Sequence, residues 1–69
     1  MSEIEILSVV ALLEDRPADG LRRGQVGTIV ETLAPGVYEV EFSNDLGRTY
    51  ASVALRTDQV LKLHHDQAA

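Results

Sequence analysis

Arginines and glycines are concentrated in one short stretch of the 69-residue chain, GLRRGQVGTIVE, which runs from Gly20 to Glu31. A glycine-rich loop that binds phosphate has the spacing GxGxxG and leads into a helix, because the N–H groups at a helix N-terminus bind the anion. Here Gly20, Gly24 and Gly27 are spaced GxxxGxxG and lead into a β-branched run. The spacing therefore predicts no phosphate site, and we expect these glycines to serve the fold.

A second group with possible chemistry is formed by His64, His65 and Asp66. Imidazole and carboxylate groups are zinc ligands, but adjacent side chains in an extended segment point to opposite sides, which opposes a shared ion. The sequence has no cysteine and no Ser/His/Asp arrangement. We therefore expect no metal, no cofactor and no catalytic residue, and predict that the chain is not an enzyme.

Arginine side chains give the first candidate for a binding surface. Arg22 and Arg23, joined by Arg48 from across the fold, are placed to form a cationic patch for an acidic partner or for RNA. The alternative is that the two loop arginines neutralise the acidic residues close to them in sequence, which are Glu14, Asp15 and Asp19. Surface ion pairs of that kind contribute little to stability.

Tyr50 gives the second candidate, because it alternates with Ala51, Val53 and Leu55 and is therefore expected on the opposite, solvent-facing side of its strand. An exposed tyrosine offers a large contact area at low entropic cost and is common in interfaces. The alternative is that it covers an edge of the sheet. The predicted interaction surface consists of Leu21, Arg22, Arg23, Arg48 and Tyr50.

Short strands are expected to position these residues. ILSVVALLED, residues 6–15, predicts a first strand, and the proline and glycines of DRPADGLRRG predict a loop after it. VGTIVETL, residues 26–33, predicts a second strand, with Gly27 at a bulge or a sharp bend. Proline and glycine at positions 35 and 36 match the centre of a type II turn. A hairpin is therefore expected there.

The second half of the chain continues the pattern. In VYEVEFS, Tyr38, Val40 and Phe42 share one face and are expected in the core. Asn44–Gly47 predicts a type I turn closed by a glycine bulge, leading into RTYASVAL. Thr57–Gln59 predicts one helical turn with Thr57 as its cap, before a last strand from Val60 to Leu63.

These elements predict an all-β fold, a small SH3-like barrel of about five strands with one helical turn before the last strand. A sheet this small encloses its interior only if the second strand bends and belongs to both halves. One domain is expected over residues 1–63, followed by a flexible tail, 64–69.

The order of motifs resembles a known family. VVALLED, a proline-containing loop, GLRRGQVGTIVE, YEVEF, GRTYA and TDQVLKL are similar to the bacterial family catalogued as domain of unknown function 4926, over roughly Val9 to Leu63. The segment RGQVGTIVE is also similar to the KOW motif of ribosomal and transcription-factor barrels. The family resemblance implies a small SH3-like barrel without known catalytic residues.

Charge and composition limit the functions that are expected of this chain. The net charge of −5 repels phosphate backbones and anionic lipid surfaces, so nucleic acid and membranes are not the expected partners. The absence of cysteine and of a signal-like start favours a cytoplasmic location. We expect a non-catalytic protein-interaction module, as an accessory subunit or an antitoxin-like or immunity-like partner of a neighbouring gene product. KOW-like RNA or ribonucleoprotein binding and a self-assembling structural subunit are the alternatives.

Overall fold

A computed structural model describes residues 4–64 of the chain. It contains five strands and two single turns of 3-10 helix, at Pro17–Asp19 and Thr57–Gln59. The strands are β1 (Val9–Leu12), β2 (Val26–Ala34), β3 (Val37–Ser43), β4 (Thr49–Arg56) and β5 (Val60–Lys62). All neighbours are antiparallel, in the order β4-β3-β2-β1-β5. The predicted all-β fold, with a helical turn before the last strand, is confirmed.

Strand β2 belongs to both halves of the sheet. Its first residues, from Val26 to Thr28, pair with β1, and the stretch from Thr28 to Ala34 pairs with β3. The register irregularities with β3 lie between Ile29 and Glu31 and between Thr32 and Ala34. The expected bulge at Gly27 is therefore wrong, because Gly27 has a regular partner in β1.

Close packing explains the glycine at position 27. A Cβ atom there would lie 2.8 Å from the backbone oxygen of Glu41, 2.8 Å from Val40 Cγ1 and 2.9 Å from Phe42 Cε2. These distances are shorter than van der Waals contact, so strand β3 and its inward side chains occupy the space of any larger residue. Gly27 is required by the approach of two strands and not by a bulge.

Alternation along β3 builds the centre of the core. Tyr38, Val40 and Phe42 are buried, as predicted, and Leu55 of β4 is buried against them, with Ala51 and Val53 partly buried. The buried apolar cluster comprises Ile4, Val10, Leu12, Leu21, Ile29, Tyr38, Val40, Phe42, Leu55 and Val60. Gly36 has a φ of 74°, as the second central residue of the predicted hairpin turn requires.

The first strand is shorter than the predicted 6–15. Ile6 and Leu7 form a turn, in which Leu7 has a φ of 75°, and both side chains are exposed. The backbone N–H of Leu7 still donates to the oxygen of Ile29, at 2.7 Å. The apolar run therefore contains a turn that holds the chain against β2 before the strand begins.

Gln59 organises the turn before β5. Its side-chain oxygen accepts a hydrogen bond from the backbone N–H of Arg56 at 2.8 Å, and its amide nitrogen donates to Glu14 at 2.9 Å. The predicted cap is wrong, because the hydroxyl of Thr57 donates to the backbone oxygen of Gly36 instead, at 3.3 Å. Gln59 is buried, so the capping contact is protected from water.

Asn44 shapes the hairpin between β3 and β4. Its side-chain oxygen accepts hydrogen bonds from the backbone N–H groups of Leu46 and Arg48, at 2.9 and 3.1 Å. Gly47 has a φ of 79°, as expected for the glycine that closes the turn. Ser43 pairs with Thr49 while Phe42 pairs with Ala51, so Tyr50 is the additional residue of a bulge in β4.

Replacing Asn44 by alanine is expected to lower the free energy of unfolding by about 1 kcal/mol, because two turn N–H groups lose their protein acceptor. Urea denaturation followed by circular dichroism measures this loss. Asp45→Ala is the matched control, since Asp45 is exposed in the same turn. Equal stability of the two variants would contradict the role given to Asn44.

Candidate interaction surface

Tyr50 is held at the surface by a side chain from another part of the chain. The amide nitrogen of Gln25 donates a hydrogen bond to the Tyr50 hydroxyl at 2.8 Å, and Tyr50 remains 49% exposed. The side-chain oxygen of Gln25 accepts a hydrogen bond from the backbone N–H of Arg22. Gln25 therefore links the loop that carries Arg22 to the start of β4.

The loop itself is fixed at several points. Arg16 and Leu21 form an isolated β-bridge across the turn that begins at Pro17. The carboxylate of Asp15 accepts the backbone N–H of Arg23 at 2.9 Å, and the N–H of Gly24 donates to Leu12 of β1 at 2.7 Å. The two arginines therefore extend from a backbone that is tied to β1.

The ion pairs of this loop that the structure shows belong to Arg16 and not to Arg22 or Arg23. Arg16 pairs with Glu14 at 3.8 Å and with Asp19 at 3.1 Å. Asp15 accepts a backbone N–H and not a guanidinium group. Within residues 4–64, Arg22, Arg23 and Arg48 take part in no ion pair. All three side chains are exposed, and no carboxylate of the described residues forms an ion pair with them.

Leu21 differs from the other predicted surface residues. Its exposure is 1%, and it belongs to the apolar core. Its assignment to the interaction surface is wrong, because the bridge to Arg16 folds the loop inward at this position. Arg48 is exposed, two residues before Tyr50 in the chain. Of the predicted surface residues, Arg22, Arg23, Arg48 and Tyr50 are thus the exposed ones, and Gln25, which the sequence did not single out, connects Tyr50 to Arg22.

An open depression of about 600 Å³ adjoins Arg22. It is lined by Asp15, Pro17, Gly20, Leu21 and Arg22. A cavity of this size accommodates a few side chains of a partner. It extends the candidate surface from Arg22 toward the 3-10 turn of the loop.

The described residues contain no group of three histidine, cysteine, aspartate or glutamate side chains arranged to hold a metal ion. His64 is exposed, while His65 and Asp66 lie outside the described residues. In the part of the chain from residue 4 to 64, no helix is long and apolar enough to cross a membrane.

Comparison with known proteins identifies a family. Neither the curated proteins nor the solved structures contain a match to this chain. The model of one family, described as domain of unknown function (DUF4926), matches residues 6–62. This match covers β1 through β5 and confirms the family resemblance inferred from the motifs. The chain belongs to the DUF4926 family.

Proposed function

We propose that this domain is a non-catalytic protein-interaction module that binds an acidic segment of a partner protein through Arg22, Arg23, Arg48 and Tyr50. The observation that carries the proposal is the set of three arginines without ion pairs, within residues 4–64, in a chain with a net charge of −5. Acidic residues are abundant, yet none of those between residues 4 and 64 forms an ion pair with these three side chains. A carboxylate from outside is therefore free to bind them.

The chemistry of these side chains suits a protein interface. Arginine and tyrosine are among the residues that contribute most to binding energy, and a guanidinium group binds a carboxylate through two parallel hydrogen bonds. The hydrogen bond from Gln25 restrains the Tyr50 ring before any partner arrives. Less conformational entropy is then lost on binding, which raises affinity.

The small size and acidity of the chain suit a dedicated partner of another protein. We expect an accessory subunit, or an antitoxin-like or immunity-like partner of the product of a neighbouring gene. In each case the domain would act by occupying a surface, which requires affinity and no catalytic group.

Site-specific photo-crosslinking in the native host tests the proposal. The photoreactive residue p-benzoylphenylalanine replaces Tyr50 in one version of the chain and Leu33 in the other. Leu33 is the matched control, because it is similarly exposed and lies beside the β2–β3 hairpin, away from the start of β4. We expect a single protein adduct from position 50 and none from position 33, identified by mass spectrometry.

Reversing the charge of two arginines is the second part of the crosslinking experiment. With Arg22→Glu and Arg23→Glu together, the adduct from position 50 is expected to fall at least about tenfold, as loss of two charge-assisted contacts predicts. The fold should persist, since both side chains are exposed. An adduct that is unchanged by charge reversal would contradict the proposal. An adduct that disappears after nuclease treatment would favour the KOW-like RNA alternative.

A further inference from the structure

We propose that the open edge of β4 pairs in antiparallel fashion with the same edge of a second copy, which joins two five-stranded sheets into one sheet of ten strands. This inference goes beyond the proposed function, because the partner is a second copy of the chain and the contact is made by the backbone edge of β4, although Arg48 lies at the margin of both surfaces. β4 has β3 as its neighbour on one side and is the end strand of the described sheet on the other. At eight residues it is also long for an edge strand.

Hydrogen bonds at the end of β4 show which backbone groups point outward. The N–H of Thr57 donates to Gly36, on the β3 side, at 3.0 Å. The N–H of Arg56 donates to the Gln59 side chain instead. Because N–H groups alternate in direction along a strand, Ala54 and Ser52 share the outward direction of Arg56. Ser52 and Ala54 therefore each present a backbone N–H and a backbone C=O at the open edge of β4.

A two-fold axis through Val53 satisfies all of these groups. Ser52 of one copy then lies opposite Ala54 of the other, and the two pairs exchange four hydrogen bonds. Gln59 already caps the N–H of Arg56, and the bulge at Tyr50 ends the regular strand on the other side. The pairing segment is thus limited at both ends to the central residues of β4.

The two edges of the sheet differ in their protection against pairing. Edge strands usually carry lysine, proline or a short length that discourages association. The other edge strand, β5, has three residues, including Lys62. The sequence TYASVAL at the start of β4 contains no charged residue and no proline. Its small side chains Ala51, Ser52 and Ala54 allow close approach of a second strand.

Charge favours the antiparallel orientation. Arg48 precedes one end of β4, and Asp58 follows the other end. A two-fold pairing brings Arg48 of each copy toward Asp58 of its partner, where the carboxylate that already pairs with Arg56 of its own chain at 3.0 Å would be shared between two guanidinium groups. The carboxylates of Glu39 and Glu41 lie on β3, one strand away from the junction. Equivalent β3 strands are about 14 Å apart in the dimer, three strand spacings, which exceeds the screening length of about 8 Å at physiological salt.

Sedimentation velocity of the purified full chain, from about 1 µM to 1 mM, tests the proposal. The expected result is a doubling of mass as concentration rises. Ala54→Lys places a charge beside the pairing edge and is expected to weaken the dimer at least about tenfold. Leu61→Lys is the control at the other edge strand, and it should leave the dimer intact because Leu61 is exposed there.

Hydrogen exchange identifies the surface. The amides of Ser52 and Ala54 are expected to slow as concentration rises, and the charge reversal of Arg22 and Arg23 should leave that protection unchanged. A monomer at every concentration would overturn the proposal. A strand of another protein would then be the remaining candidate for pairing with the edge of β4. A dimer that leaves these two amides in fast exchange, or one that Leu61→Lys disrupts and Ala54→Lys does not, would overturn it equally.

Discussion

Gly27→Val is expected to abolish cooperative folding. The Cβ of the new side chain would overlap the backbone oxygen of Glu41 and the side chains of Val40 and Phe42, all within 2.9 Å. A backbone carbonyl in a paired strand has little room to move, so the Cβ strains the pairing of β2 with β3, and the two further methyl groups of valine would separate the strands. Overpacking of this kind typically costs about 1–3 kcal/mol, and the two further methyl groups of valine place it above that range. A single-core domain of this size rarely has more than about 3–5 kcal/mol of stability.

Thermal melting followed by circular dichroism measures the loss. Gly27→Ala is expected to retain a transition at a lower temperature, since it adds the Cβ alone. Gly24→Ala is the informative comparison, because its Cβ would meet no atom within 4 Å but its φ is 91°. Gly24→Ala therefore destabilises through the backbone conformation, and the free energy of unfolding should fall by about 1–2 kcal/mol. A Gly27→Val protein with the wild-type melting temperature would contradict the packing of β2 on β3.

Local patterns predicted most of the sheet. The alternation of Tyr38, Val40 and Phe42 identifies an inward face because successive side chains of a strand point to opposite sides. The turn at Gly36 is equally local, since proline followed by glycine fixes the dihedral angles of two adjacent residues. Both features are decided within a few residues, and the structure confirms both.

The features that the sequence did not reveal depend on distant contacts. Gln25 bonds Tyr50, 25 residues later, and Gln59 bonds Glu14, 45 residues earlier. No periodicity in a single sequence reports such pairs. Leu21 is a similar case, because it stands between glycine and arginine in a loop and is buried only when the loop folds back onto Arg16.

The arginines of the candidate surface are another case in which the sequence alone does not reveal the contacts. Proximity in sequence offered, as one alternative, that Arg22 and Arg23 neutralise the acidic residues before them, whereas Arg16 pairs with Glu14 and Asp19 in the folded chain. The 3-10 turn at Pro17 turns Asp19 back toward Arg16, three residues earlier. The sequence locates the arginines, but only the loop geometry decides which of them pair with a carboxylate of the described residues.

Tyr38→Ala is the second substitution expected to unfold the domain. Tyr38 is 1% exposed and lies among the largest fully buried side chains, packed with the centre of the core. Truncating a buried aromatic residue to alanine typically costs about 3–5 kcal/mol, through lost burial and the cavity that remains. That loss equals the whole expected stability of a small single-core domain. Urea denaturation should show no cooperative transition.

Tyr38→Phe separates the hydroxyl from the ring. The backbone N–H of Ile4 donates to the Tyr38 hydroxyl at 3.1 Å in a buried contact, so phenylalanine would leave a buried donor without an acceptor. The expected cost is about 1–3 kcal/mol. Tyr50→Phe is the matched control, because it removes a hydroxyl from an exposed hydrogen bond and should cost under about 1 kcal/mol. If both tyrosines tolerated phenylalanine equally, the hydroxyl of Tyr38 would not be what fastens Ile4 over the core, and apolar contact alone would have to hold that end of the chain.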